Sequence, residues 1–291
     1  ELPDEPSSPE ATHAAKESQS EAEDASHQCR GNGLWDPWGL VPVLQQAPDV
    51  VDTLEIPADG YSLLGLEGAW VHGPFSLQAE LVEAIMGMRP GATGTVRLAG
   101  QDLTELSTRK RREAGIGYVP EDRHRRGLLL DAPLWENAML GHQTVEPFAK
   151  GSLIDRSGAR KATEAIVDRF DVRTPGIDTT ARALSGGNQQ KLVVGREIAA
   201  DPLLLIAAHP TRGIDVGAQA AVWEELRRVR AEGLSVLLVS ADLHELIGLA
   251  DRLVVMLGGR IVAELDPADT TPRLLGSHMT GAEVDDGEPA T

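Results

Sequence analysis

Between about residue 60 and residue 270 the chain alternates short runs of branched apolar residues with longer stretches whose apolar positions recur at helical spacing. The short runs, "YSLLGLEG", "GTVRLAG", "GIGYVP", "LLLIAAH", "SVLLVSA" and "RLVVML", predict strands. The longer stretches predict helices over Ala79–Gly87, Ser157–Phe170, Gly187–Ala200, Gln219–Glu232 and Leu243–Leu249. This alternation argues for an α/β domain whose strands are covered on both faces. The segments "TVRLAGQDLTEL" and "RLVVMLGGRIVAEL" differ, each offering a turn-bounded strand suited to an antiparallel edge. No internal repeat is visible.

Composition changes the picture at the ends. Residues 1 to about 30 are rich in Glu, Ser, Ala and Pro and poor in branched apolar residues, so they cannot bury enough surface to offset chain entropy. The expected organisation is a disordered acidic tail over 1–33, one domain over 34–275 and a second disordered tail over 276–291. The formal charge of −18 disfavours a general nucleic-acid partner, because phosphate contacts need a surplus of Lys and Arg. The single cysteine, Cys29, cannot form a disulfide within the chain and fits a reducing compartment. No run of about 18 apolar residues is present, and the segment starting at Glu1 shows no secretory signal, so a cytosolic location is expected, with any membrane role coming through a partner.

The most informative motif is "LSGGNQQK", Leu184 to Lys191, which stands immediately before a long amphipathic helix. A helix start presents free N–H groups at a positive dipole end, a geometry suited to phosphate. Ser185 can cap the helix and donate to a phosphate oxygen, while Gly186 and Gly187 permit close backbone approach. Taken alone, the motif reads equally well as an ordinary Ser-Gly helix cap.

The order of the segments downstream narrows the choice: "LLLIAAH", then "PTRGID", a helix, "SVLLVSADLHEL" and "ADRLVVMLGGRIV". Together with "EDRHRRG" (Glu121 to Gly127) and "PTRGIDVGA" (Pro210 to Ala218), this order resembles the ATP-binding cassette (ABC) ATPase family over about residues 50–270. Within that family it is similar to the second cassette of the tandem ATPases of simple-sugar and nucleoside importers. The resemblance implies a P-loop NTPase-like cassette with a RecA-like parallel sheet core. It also implies a helical subdomain at about 122–185 and an antiparallel β subdomain, here reduced. Trp35 or Trp38 could stack on an adenine, although two Trp beside Pro more often form an irregular apolar cover.

In the family two cassettes pack head to tail, and each ATP lies between the phosphate loop of one and the signature of the other. The phosphate loop has the form GxxxxGK[ST], with Lys for the phosphates and a hydroxyl for magnesium. Here Gly68 and Gly73 hold that spacing, but Pro74 and Phe75 replace the lysine and the hydroxyl residue. Shifting the register puts Gln78 and Ala79 in those places and loses the glycines. A plain strand-to-helix turn is the simpler account, since proline also removes a donor.

The family's next strand ends on an Asp for magnesium and a Glu that activates water. This chain has Ala208 and His209 there. His209 is a conditional candidate for the base, against a hydrogen-bonded strand-end histidine as the default. The family's switch histidine aligns with Ala241, and Glu121 stands where most cassettes carry the glutamine that couples the nucleotide site to the membrane partner. What survives is one-sided: Leu184, Ser185, Gly186, Gly187 and Gln189 of the signature, and Gly213 and Asp215 of the loop that the family turns toward the dimer interface.

The resemblance therefore implies a degenerate cassette, peripheral on the cytoplasmic face of the membrane. It would complete a partner cassette's ATP site beside permease subunits and, indirectly, an external substrate-binding protein. Magnesium would enter only through the partner's site, and no metal site is expected in this chain. Two other readings stand beside this one: a self-sufficient ATP-hydrolysing cassette with His209 as base, and a scaffold or fragment that dimerises without nucleotide.

Overall fold

The computed structural model describes residues 55–56, 63–67, 77–89, 92, 94–257 and 260–281. The expected tail over 1–33, Trp35, Trp38 and the phosphate-loop positions Gly68, Gly73, Pro74 and Phe75 lie outside the described residues.

The first elements in chain order are β1 (Glu55–Ile56), β2 (Leu63–Glu67), α1 (Leu77–Ile85), β3 (Arg97–Leu98), β4 (Gln101–Asp102), α2 (Thr108–Glu113) and β5 (Ile116–Val119). A single π-type turn at Arg123–Gly127 leads to α3 (Leu134–Ala138), a short hairpin of β6 (Ala149–Lys150) and β7 (Leu153–Ile154), and α4 (Arg156–Arg169). The remainder comprises α5 (Gly186–Ala199), β8 (Leu204–Ala208), α6 (Val216–Ala231), β9 (Ser235–Val239), α7 (Leu243–Leu249), β10 (Arg252–Leu257), β11 (Arg260–Leu265) and α8 (Pro272–Thr280).

Six strands form one sheet in the order β11-β10-β2-β9-β8-β5, parallel throughout except where β11 runs antiparallel to β10. Alternate side chains of a strand point to opposite faces, and here both faces are covered. In β8, Leu205 and Ala207 join the cluster that includes Leu192, Val193, Val222 and Leu226 of α5 and α6. Leu204, Ile206 and Ala208 join the opposite cluster, with Leu81, Val82 and Ile85 of α1. The strands β9 and β10 divide in the same way, which is why these sequence runs are apolar at nearly every position.

A second sheet, β1-β3-β4, is mixed and departs from the expected reduced antiparallel subdomain: β1 pairs parallel with β3, and only β3 and β4 pair antiparallel. Its β3–β4 hairpin turns on Ala99 and Gly100 at φ 48° and 77°, the positive angles that a two-residue turn of this twist requires. Helix α1 is closed at its C-terminal end by Arg111, which is buried. Its guanidinium donates to the carbonyls of Ala84 and Ile85 at 2.9 and 2.6 Å, and to those of Leu106 and Thr104 at 2.9 and 2.6 Å.

The expected C-terminal boundary at 275 needs correction, because it falls inside α8. Thr271 caps that helix, Pro272 opens it and Leu275 is fully buried in the core, so the fold continues to Gly281. Helix α6 begins three residues before the expected Gln219, because Asp215 is its N-cap, accepting from Ala218 N at 3.0 Å. Among the described residues no helix is long and apolar enough to cross a membrane.

Candidate functional site

In open parallel sheets, ligands bind beyond the carboxyl ends of the strands. At that edge the chain leaves β5 toward Glu121, β8 toward His209, and β9 toward Ser240 and Ala241.

Ser185 is the N-cap of α5, with φ −63° and ψ 157°. Its Oγ accepts from Asn188 N at 3.4 Å and from Asn188 Nδ2 at 2.9 Å. Both contacts use oxygen lone pairs, so the hydroxyl proton of this exposed serine remains free to donate outward. Asn188 is itself fixed, its Oδ1 accepting from Arg173 N at 2.9 Å. Gly187 lets α5 approach α6: a Cβ there would stand 2.6 Å from the Ala218 Cβ and 3.1 Å from Asp215 Oδ2. A Cβ on Gly186 would stand 2.9 Å from Arg123 Nη2. Leu184 is buried, while Gly213, at φ 68°, and Asp215 are exposed.

Gln189 lies elsewhere than the signature reading places it. It is buried, its Nε2 donates to Ala181 O at 3.0 Å, and its Oε1 receives His124 Nε2 at 2.8 Å and Arg123 Nε at 3.4 Å. It faces the "EDRHRRG" segment and not an open surface. That segment is shaped by Asp122, whose carboxylate accepts from the N–H groups of His124 and Arg125 at 3.0 Å each and caps the π-type turn. Arg123 also donates through Nη1 to Arg212 O at 2.9 Å and through Nη2 to Gly213 O at 3.2 Å. Glu121 pairs with the Arg212 side chain.

At the end of β8, Ala208 offers a methyl group that is 6% exposed and can bind no cation. His209 has φ 46°, donates its N–H to Val239 O at 2.7 Å, and accepts Ala241 N–H on Nδ1 at 3.4 Å. His209 therefore holds the backbone at Ala241. An acceptor Nδ1 places the proton of a neutral imidazole on Nε2, so in this tautomer Nε2 donates and is not free to take a proton from water. Burial pushes the imidazole below its ordinary range, with Glu121 opposing and Arg212 adding to the effect. A hard cation such as Mg²⁺ takes oxygen ligands, and the described residues at this strand end do not fit one.

This shift has a pH consequence. With a folded pKa below the ordinary 6.5, the folded site stays neutral where the unfolded chain takes a proton. Its contribution to stability is full above about 6.5 and is lost as pH falls from there through the folded value. Nitrogen-15 NMR at pH 7 is expected to show the Nε2–H tautomer of His209, titrating below 6.5. A midpoint at or above that value would remove the argument.

Two buried carboxylates, Glu245 and Glu197, stand outside the candidate residues of the sequence motifs. Glu245 accepts from Ser240 Oγ at 2.5 Å, Trp223 Nε1 at 2.8 Å and Thr211 Oγ1 at 2.9 Å, joining the loops after β8 and β9. Burial raises its carboxyl above the ordinary range, against those three hydrogen bonds, with Asp242 adding to the rise. Glu197, fully buried on α5, accepts from Arg112 Nη2 at 2.7 Å, Arg196 Nε at 2.9 Å and Tyr118 N at 3.1 Å. Burial alone would raise its pKa, but Arg196, His142 and Arg112 together hold it at about 2. A signal for Glu197 existed: it falls four residues after Val193 on the inward stripe of α5, where a charge needs a buried partner.

Comparison with known proteins matches residues 79–212 to the family described as ABC transporter. Among curated proteins, the guanosine import ATP-binding protein NupO of Bacillus subtilis strain 168 is 42% identical over 234 residues, covering 80% of this chain and 45% of that protein. The nucleoside import ATP-binding protein NupA of Lactococcus lactis subsp. cremoris is 39% identical over 209 residues, covering 72% and 41%. The ribose import ATP-binding protein RbsA 2 of Streptomyces coelicolor is 42% identical over 194 residues, covering 67% and 37%. The chain thus spans less than half the length of these relatives. Among solved structures, a dimeric ATP-binding cassette in a post-hydrolysis state with ADP and phosphate superposes with a TM-score of 0.61 at 18% identity, over 73% of this chain and 88% of that one. A nucleotide-free cassette from an ABC transporter gives 0.59 at 21% identity, over 71% and 81%.

Proposed function

This chain carries a domain of the ABC transporter family and shares the fold of solved ABC cassettes, and from that premise we propose that it is a degenerate ATP-binding cassette of a sugar or nucleoside importer, supplying its signature to the ATP site of a partner cassette. The relatives named as guanosine, nucleoside and ribose import ATP-binding proteins support the importer assignment.

One contrast carries the reading. Ser185 is exposed at a capped helix start with its hydroxyl proton free, while β8 ends on Ala208 and a histidine whose Nδ1 is taken by the Ala241 N–H. The first end suits another chain's nucleotide, and the second lacks both a metal ligand and a base for a nucleotide of its own. ATP would bind at the interface with the partner, with magnesium held by the partner's site. Ser185 and the first N–H groups of α5 would stabilise charge on the γ-phosphate during transfer to water. Gly213 and Asp215 would face the partner, and the Glu121 segment would pass closure to permease subunits at the cytoplasmic face of the membrane.

Calorimetry of the isolated chain is expected to show no magnesium-dependent ATP binding. Adding the chain to an intact importer cassette is expected to raise that cassette's ATP turnover, and Ser185→Ala to cut the stimulation about tenfold or more. Micromolar, magnesium-dependent binding by the isolated chain would instead favour a self-sufficient site. Unchanged partner turnover would favour a scaffold.

A further inference from the structure

Three motifs that lie apart in sequence meet at one side chain. The Arg123 guanidinium donates to Arg212 O and Gly213 O at 2.9 and 3.2 Å and to Gln189 Oε1 at 3.4 Å, and it lies directly under Gly186. Glu121 takes the Arg212 side chain in return, so the 121–123 stretch and the 212–213 turn are strapped from both sides. His124 Nε2 adds a second contact to Gln189 at 2.8 Å, and Gln189 in turn holds Ala181 O at 3.0 Å ahead of the signature.

We infer that Arg123 is a positioning residue: it fastens the coupling segment, the signature helix start and the interface loop into one body, so that the placement of the Ser185 donor follows the coupling segment. The inference rests on the donor role given above for Ser185. A planar guanidinium suits the task, because its fixed fork of N–H groups reaches two successive carbonyls and a side-chain amide at once. Lysine carries its three donors on a single nitrogen and lacks this fixed, spread fork. A Cβ on Gly186 would stand 2.9 Å from Arg123 Nη2, so a side chain there would displace the guanidinium. The signature reading treats Gln189 as nucleotide-facing; in this arrangement it transmits the position of the π-type turn to the helix.

The test has two arms. In the first, amide hydrogen exchange is followed on the full chain for wild type, Arg123→Ala, Arg123→Lys and, as a control, Arg182→Ala, which breaks an exposed pair with Asp131. Arg123→Ala is expected to speed exchange about tenfold at Gln189 and Arg212, whose N–H groups bond Ser185 O and His209 O, while leaving the β8 amides unchanged. Arg123→Lys should fall between, and Arg182→Ala should match wild type. A change confined to 121–127, or one spread equally over β8, overturns the strap. In the second arm, an intact importer cassette is stimulated by each variant, and Arg123→Ala is expected to lower kcat about tenfold with KM for ATP unchanged. Equal stimulation by wild type and Arg123→Ala overturns the positioning role. Absence of stimulation by the wild-type chain overturns the donor reading itself, and the exchange arm then decides the strap alone.

Discussion

Replacing Glu197 by Gln is expected to lower the free energy of unfolding by about 3–5 kcal/mol, measured by urea titration at neutral pH. The carboxylate is fully buried between Arg196 and Arg112 and also receives Tyr118 N–H from the edge strand β5. Arg196 is buried too, and its Nη1 donates to Gly127 O at 2.9 Å and Asn137 O at 3.1 Å. Removing the negative charge therefore leaves guanidinium charge in the interior with only carbonyls to face, which costs far more than the hydrogen bonds alone. The pH profile should agree. A carboxyl held at about 2 in the fold against an ordinary 4.5 contributes fully above the ordinary value, and the contribution is lost as pH falls through the folded one. The Gln variant should lack this acid-side slope. A loss under about 1 kcal/mol would mean that the cluster does not hold α5 to β5.

The second large effect belongs to Gly187. Its replacement by Ala puts a methyl 2.6 Å from the Ala218 Cβ, so the starts of α5 and α6 must separate. Overpacking of this kind costs about 1–3 kcal/mol. The functional loss should be larger, because a shift of about 1 Å in a positioned group can cost on the order of 100-fold in rate. Stimulation of a partner cassette is therefore expected to fall about 10–100-fold. The companion change Ala218→Gly removes the clashing methyl and should restore most of both. If Gly187→Ala alone has wild-type stability and stimulation, or if the double variant recovers nothing, close helix approach is not what the glycine provides.

The sheet is legible in the sequence because its strands are buried on both faces, which leaves uninterrupted runs such as "LLIAA" and "SVLLV". Helix starts are less so. Asp215 and Thr271 cap α6 and α8, but the first also reads as part of an interface motif and the second falls near an expected tail. The short elements between 122 and 185 escape, since two-residue strands and a five-residue helix carry too few positions to show a period. At the site, the Ser185 cap and the Ala208–His209 strand end are readable from local sequence. The contacts of Arg123, Gln189 and Glu245 are not, because each joins segments separated by tens of residues and depends on which side of a turn faces which helix. The direction of His209 is equally hidden, being decided by the Ala241 N–H across two strand ends.

The buried Glu245 carboxylate also makes the chain its own optical gauge. Its partner Trp223 is one of two tryptophans among the described residues, the other being Trp135. Because the same Oε1 is shared with Thr211 at the start of the loop that leads to Asp215, any displacement of that loop alters the polarity around the indole N–H. Emission from Trp223, isolated by replacing Trp35, Trp38, Trp70 and Trp135 with Phe and referenced against a further Trp223→Phe control, would follow the 211–215 loop in solution without an added label.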